Sequence, residues 1–284
     1  MTSWLDELRL EPGPPFLVMG THALRLDQWL VVDDDRESDL ARKDELLGAD
    51  LAGVFAAQDC AHDASVELLA IVRAWLMDHD IDPPAVRAAE HPLVSAARLV
   101  QEDLAVLQNI DGEWVLTAGA ICFPTHWSIA DKIGLPLKGV HAPVAHYEND
   151  LREKVDRFHD RLGVDRPVWR RNWIVASTDE LHLPAYGGSM QGPPEIQPDG
   201  SPMWIRSERQ TLRRLPGTDA IVFTIRIQRV PLGVLRGRPD LAAKMLTATR
   251  SWDARKRMYA STGGALDQLN DWLEGIANAA TSVE

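Results

Sequence analysis

Apolar residues keep helical spacing near the start of the chain. Leu40, Leu47, Leu51 and Phe55 recur on one face of a predicted first helix. A second helix is predicted to begin at the N-cap residue Ser65, and a short third helix follows it. The side chains that these two helices are expected to bury are Val66, Leu69, Val72 and Leu76, then Leu93, Ala97 and Val100.

The pattern changes from helix to strand after residue 101. Segments 104–108 and 113–123 flank Asp111-Gly112, a dipeptide typical of tight hairpin turns. Two later segments, 168–176 and 220–228, are rich in β-branched residues and also predict strands. Residues 203–214 lie between them, inside the expected sheet core.

Two further helical regions are predicted around these strands. Leu151, Val155, Phe158 and Leu162 form an apolar stripe on a helix that crosses between strands. Residues 184–203 predict a long loop, and the tail over 239–278 predicts helices. The buried face of the tail is expected to contain Leu266, Leu269, Leu273 and Ile276.

The order of these elements predicts an α+β fold with an antiparallel sheet, because helices and strands are segregated along the chain. We expect a single domain over residues 1–284. Its helical N-terminal part covers 36–101, its sheet core 102–232 and its C-terminal helices 239–280.

Composition excludes several classes of function. A net charge of −12 over 284 residues argues against a general nucleic-acid binder. The two cysteines, Cys60 and Cys122, are too few for a disulfide framework or a four-thiolate metal site. No membrane-length apolar run and no signal-peptide pattern is visible, so we expect a cytoplasmic protein. The chain contains no GxGxxG, GxxxxGK[ST], GxSxG or HExxH motif.

Histidines mark the most distinctive stretch, residues 117–147. An apolar run ends at Pro124, and the polar connection after it carries His126, His141 and His146. Pro143 stiffens the backbone after His141. His141 could be a hydrogen-bonded structural residue, a haem ligand, or part of a non-haem metal site with His146 and Glu148.

Arginines form the second distinctive feature. Arg206, Arg209, Arg213 and Arg214 lie within nine positions of an acidic protein, with Arg170 and Arg171 upstream. They fit either a solvated, salt-bridged face or an anchor for a dianion such as two haem propionates, because guanidinium forks match carboxylates. On a strand, Arg206, Glu208 and Gln210 would share one face.

Three segments, taken together, resemble a known family. They are CFPTHWSIADKIGLPLKGVHAPV, DRPVWRRNWIV and SERQTLRRLPGTDAIVFTIR, in order from about Glu102 to Leu232. The resemblance is to the haem-dependent oxidative N-demethylase-like family. It implies a PAS-like antiparallel sheet flanked by helices that binds haem b. It also implies a monooxygenase that removes a methyl group from a small secondary amine, similar to dimethylamine, using O₂ and an external reductant.

The resemblance also implies roles for individual residues. His141, in the H-x-PV motif, is the candidate proximal iron ligand. Arg209, Arg213 and Arg214, with Lys132 as an addition, are candidates for binding the propionates. Glu208 is a candidate acidic group that either lies near the substrate ammonium or supports the residues that contact the substrate.

Three alternatives about function follow. The first is the monooxygenase, which needs electrons from a separate reductase that carries the NADPH chemistry, since this chain has no nucleotide fingerprint. The second is a PAS-like haem sensor without turnover. The third is a small-molecule or non-haem metal protein that has lost the haem.

Overall fold

A computed structural model describes residues 3–10, 19–142, 152–184, 194–253, 257 and 265–281. Seven strands form one antiparallel sheet. The strands are β1 (His22–Ala23), β2 (Phe55–Ala57), β3 (Asp103–Ile110), β4 (Glu113–Ala120), β5 (Val168–Ala176), β6 (Trp204–Arg214) and β7 (Ile221–Pro231). Their order across the sheet is β1-β5-β6-β7-β3-β4-β2.

Helices precede, interrupt and follow these strands, so the predicted α+β class with an antiparallel sheet is confirmed. The α-helices are α1 (Arg36–Ala49), α2 (Leu51–Val54), α3 (His62–Met77), α4 (Pro92–Ala97), α5 (Leu137–Val140), α6 (Arg152–Arg161), α7 (Pro239–Arg250) and α8 (Leu266–Thr281). Short 3₁₀ helices occupy Ser3–Glu7, Leu26–Gln28, Asp59–Ala61 and Leu232–Gly237.

The predicted hairpin turn is confirmed between β3 and β4. Asp111 and Gly112 both have positive φ, at 52° and 86°. Two consecutive left-handed residues produce the turn whose twist matches that of paired strands. Asn109 closes the turn with its side-chain oxygen, which accepts a hydrogen bond from the Gly112 amide at 3.0 Å.

Alternation along the paired strands β5 and β6 divides the central sheet into two faces. The Glu208 face carries Arg170, Arg206, Glu208, Gln210 and Arg214. The Arg209 face carries Arg171, Ser207, Arg209, Thr211 and Arg213. This division confirms the predicted strand alternation and decides which arginines can act together.

The two faces are covered by different parts of the chain. Against the Arg209 face, side chains of α1, α3 and α4 pack beside Leu104 and Val222, and those of α7 and α8 pack beside Ile205. Against the Glu208 face, residues from the 121–142 connection and α6 pack beside Leu107 and Ile221. The histidine-bearing connection therefore lies over the Glu208 face.

Several predicted details of the helices are wrong. The second predicted helix begins at His62, so Ser65 is an interior residue whose hydroxyl donates to the Ala61 carbonyl at 2.8 Å. Val66 is 47% exposed, and Leu68 takes the buried position instead. Phe55 leaves the first helix, because β2 pairs there with the end of β4.

A histidine at the end of α3 ties that helix to the chain before α1. His79 Nδ1 lies 2.7 Å from the carbonyl oxygen of Trp75, and Nε2 lies 2.9 Å from that of Asp27. Carbonyl oxygens only accept hydrogen bonds, so only the doubly protonated imidazolium satisfies both. These two bonds raise the pKa of His79 above its ordinary value.

The fold should therefore lose stability as pH rises through the raised pKa of His79. The contribution of His79 to the free energy of unfolding is complete below about pH 6.5, the ordinary pKa of histidine in an unfolded chain. It is lost as the pH rises above the pKa of His79 in the folded protein. Urea denaturation of the parent and His79→Gln proteins from about pH 6 to pH 9 measures it. His62→Gln, at an exposed histidine of the same helix, is the control. A pH-independent difference for His79→Gln would contradict the prediction.

Candidate functional site

The connection after β4 is anchored to the sheet by a buried carboxylate. Asp103, which is 1% exposed at the start of β3, accepts hydrogen bonds from the backbone amides of Cys122 and Phe123, each at 2.8 Å. Burial raises the pKa of Asp103, and Lys43, 3.9 Å away, opposes that rise. The chain thus leaves the strand in a defined direction toward the histidines.

Arg206 binds two further segments of the chain on the Glu208 face. Its guanidinium is buried and donates to the carbonyl oxygens of Phe123, Pro124, Glu180 and Leu181 over 2.9–3.2 Å. Burial lowers the pKa of Arg206 to about 10, so the side chain remains a cation at neutral pH. One side chain of β6 therefore holds two separate stretches of chain against the Glu208 face.

Glu208 is held on the same face by neutral donors. Thr125 donates its hydroxyl to Oε1 at 2.8 Å, while Asn172 and Gln210 donate to Oε2 at 3.2 and 2.7 Å. Arg206 Nε donates to the Thr125 hydroxyl at 3.1 Å. Among the described residues, Glu208 forms no ion pair. The carboxylate is therefore oriented without contact to a guanidinium.

His141 lies directly after α5 and is held by it. Its Nδ1 is 2.9 Å from the carbonyl oxygen of Leu137. Since a carbonyl can only accept, Nδ1 carries the proton, and in the neutral ring Nε2 is the unprotonated nitrogen. The ring is largely buried, although the residue keeps some exposed surface. This burial, with the charges of Arg170 and Lys132, lowers the pKa of His141 to about 4.

Apolar side chains pack on the Glu208 face around the helix that precedes His141, and several of them stay partly exposed. Leu137 is buried in the cluster on the Glu208 face, and Val140, Phe158, Val168 and Leu212 pack against it while only partly buried. An apolar surface of this kind beside a few polar groups is typical of cofactor sites.

The predicted propionate residues do not form one group. Arg209 lies on the Arg209 face and donates to the carbonyls of Trp29 and Gln28 at 3.1 and 2.6 Å. Arg213, on the same face, stacks on the Trp29 ring with 4.6 Å to its centroid. Both are on the face of the sheet opposite Glu208.

Arg214 lies on the Glu208 face, but its donors bind the chain itself. It donates to the carbonyl oxygens of Leu162, His159 and Asp219, and pairs with the Asp219 carboxylate at 2.8 Å. These contacts secure the end of α6. Lys132, in contrast, lies on the side of His141, where its charge lowers the pKa of that imidazole.

The other histidines of the stretch are only partly described. His126 has a positive φ of 61°, and its amide donates to the Leu183 carbonyl at 2.7 Å. His146 and Glu148 lie outside the described residues. Within the described part of the chain, no three His, Cys, Asp or Glu side chains come together as a metal site.

The donor set around His141 fits a haem iron. A neutral imidazole whose Nδ1 proton is held by a carbonyl is the usual state of a histidine metal ligand. The partly open apolar surface on the same face would suit the macrocycle, and the charges of Arg170 and Lys132 act on His141 and would be available to its carboxylates. His141 would hold the iron.

Sequence reasoning missed the neutral groups that organise this site. Thr125, Asn172 and Gln210 lie in the segments that carry the family resemblance, and strand alternation already placed Gln210 on the face of Glu208. As neutral side chains they were given no role, yet they hold the Glu208 carboxylate. The strand register was the available signal, because Asn172 pairs with Glu208 and Arg170 pairs with Gln210 across β5 and β6.

No helix in the described ranges has the length and apolar character needed to cross a membrane.

The model of one family matches residues 77–265, which is more than half of the chain. Its description is haem-dependent oxidative N-demethylase, alpha subunit-like, a name that implies haem dependence and partner subunits. The matched region contains His141, Glu208 and all the arginines discussed above, and the chain belongs to this family.

Proposed function

We propose that this protein is a haem b monooxygenase that removes a methyl group from a small secondary amine such as dimethylamine. The observation that carries the proposal is the state of His141, a neutral imidazole fixed through Nδ1 over a partly open apolar surface. Family membership supports the reaction class, and the oriented carboxylate of Glu208 supports a cationic substrate.

The strand arrangement supports a PAS-like assignment for the sheet. The five central strands run β4-β3-β7-β6-β5, and the helical crossover with α5 and α6 joins β4 to β5. PAS-like sheets share this arrangement, in which a helical segment covers one face and a cofactor lies between the two. His141 follows the first helix of that crossover.

The chain contributes ligand, orientation and charge, and bound haem would supply O₂ activation. His141 would hold the iron, while the Leu137 carbonyl keeps the Nδ1 proton and the ring orientation. Glu208 offsets the cost of desolvating an ammonium ion, which is high in an apolar pocket without a compensating charge. Thr125 and Gln210 hold the carboxylate in place for that contact.

The overall reaction converts dimethylamine and O₂ to methylamine, formaldehyde and water. It consumes two electrons and two protons, since one oxygen atom enters formaldehyde and the other forms water. A separate reductase that oxidises NADPH is proposed as the electron source.

An absorption spectrum and a turnover assay test the proposal together. Protein expressed with haem supply should show a strong Soret band that shifts when dimethylamine is added. With O₂ and a reductant it should release formaldehyde. A Soret band without amine response or turnover would favour a haem sensor, and absence of haem uptake would contradict the proposal.

The carboxylate of Glu208 should contribute to amine affinity. In Glu208→Gln we expect the amine concentration for half-maximal spectral shift to rise about ten- to a hundredfold. That range corresponds to a charge-assisted hydrogen bond of roughly 1.5–3 kcal/mol. Haem content and thermal stability should stay close to those of the parent, because the amide keeps the shape and one acceptor oxygen.

Glu153→Gln, at an exposed position in α6, is the matched control and should leave amine affinity unchanged. A Glu208→Gln protein that loses haem or stability while keeping amine affinity would assign Glu208 a structural role.

A further inference from the structure

Among the arginines of the sequence cluster, Arg170 meets the requirements of a haem carboxylate best, although the family resemblance gave the propionate role to Arg209, Arg213 and Arg214. Arg170 is on the Glu208 face of β5, two residues after Val168. Val168 packs against the apolar cluster that contains Leu137, and the Leu137 carbonyl holds His141. Arg170 and His141 therefore lie on the same side of the sheet.

Arg170 is also oriented by its neighbours. Its Nε donates to Oε1 of Gln210, directly across from it on β6, at 2.6 Å. An Nη1 contact of 3.5 Å reaches the carbonyl oxygen of Met19. A guanidinium fixed through Nε presents its planar fork in one direction, which is the geometry that recognises carboxylates.

The side-chain amide of Gln210 links Arg170 to Glu208, the carboxylate proposed to bind the substrate. Gln210 accepts from Arg170 through Oε1 and donates through Nε2 to Glu208 Oε2 at 2.7 Å. Both ends of the amide are thereby used, which fixes its orientation. Arg170 and Glu208 are thus connected through a neutral group, and the structure describes no direct ion pair between them.

We infer that Arg170, positioned by Gln210, binds a propionate of the haem that His141 ligates. The inference rests on the proposed function, since it needs haem on this face. Arg209 and Arg213 lie on the opposite face, and Arg214 donates to carbonyls of its own chain. Arg170 lies on the same side of the sheet as His141, carries a positive charge and is oriented by Gln210, as a contact to a haem propionate requires.

A cycle that changes both the protein and the cofactor tests this contact. The parent and Arg170→Gln proteins are loaded with haem b or with haem dimethyl ester, whose carboxylates are blocked. Haem loss is then followed by transfer to an excess of apomyoglobin. We expect Arg170→Gln to lose haem b about ten- to a hundredfold faster than the parent. With the ester, the two proteins should lose the cofactor at similar rates.

Arg213→Gln is the matched control, because it removes the same charge from the opposite face of the same sheet. It should leave the parent's loss of haem b nearly unchanged. Arg170→Lys keeps the charge without the fork and should fall between the parent and Arg170→Gln, which guards against a simple folding defect.

Equal acceleration with both cofactors, or no acceleration, would overturn the role of Arg170. If Arg213→Gln speeds the loss of haem b but not of the ester, while Arg170→Gln shows no such difference, the role of Arg170 would be overturned. The propionate contact would then belong to the residues chosen from the sequence. A parent protein that takes up no haem would overturn the proposed function as well, and the two failures are therefore distinguishable.

Discussion

Purified His141→Ala protein should keep its fold and lose the haem that the parent retains. The imidazole is the proposed iron ligand, and its removal takes away the bond that joins iron to the protein. Its Nδ1 hydrogen bond goes to Leu137, the first residue of a single-turn helix outside the sheet, so the strand pairing should survive its loss. The Soret band of the variant should be weak or shifted, while its far-ultraviolet circular dichroism matches the parent.

Imidazole added to the His141→Ala protein gives a sharper version of this experiment. A small ligand that enters the vacated position should restore the parent Soret band and part of the haem retention. His126→Ala is the comparison variant, since His126 belongs to the same stretch. A His141→Ala protein with parent Soret position and full haem occupancy would exclude His141 as the ligand.

Arg206→Met should cause the largest loss of stability among substitutions on the Glu208 face. The guanidinium donates to four backbone carbonyls and the Thr125 hydroxyl, and methionine leaves these buried acceptors without their donor. Each buried acceptor left without its hydrogen bond typically costs about 1–3 kcal/mol, so losing several of them is a large share of the 5–15 kcal/mol of a typical domain. Urea denaturation measures the loss.

Arg206→Lys separates charge from geometry. Lysine keeps the cation but has three donors on one nitrogen, so it should recover only part of the lost stability. Arg157→Met, at an exposed arginine of α6, should change stability by less than about 0.5 kcal/mol. An Arg206→Met protein as stable as the parent would show that the carbonyls find other donors at little cost.

Strand positions were predictable because local chemistry determines them. Asp111-Gly112 can adopt the two left-handed conformations of a tight hairpin turn, and the structure has that turn. Residues 168–176 were predicted as a strand and form β5 with the same bounds. The first helix was extended too far, because Phe55 satisfies helical spacing but pairs with Ala120 across the sheet.

The candidate site was only partly predictable, because some of its features depend on local spacing and others on contacts between distant parts of the chain. Adjacent strand residues point to opposite faces, so the sequence could separate Glu208 from Arg209. It could not show that Trp29, 180 positions before Arg209, supplies the carbonyl that Arg209 binds. Nor could it show that three neutral side chains would hold the Glu208 carboxylate.

By itself, then, the sequence determined the α+β class, most strands, the histidine-bearing connection and the family, because these depend on residue type, spacing and motif. The roles of the arginines were decided only by the tertiary structure. Arg206 and Arg214 bind backbone carbonyls, Arg209 and Arg213 face the N-terminal segment, and Arg170 lies on the side of His141. A guanidinium binds whatever acceptor folding brings to it, and those acceptors are distant in the chain.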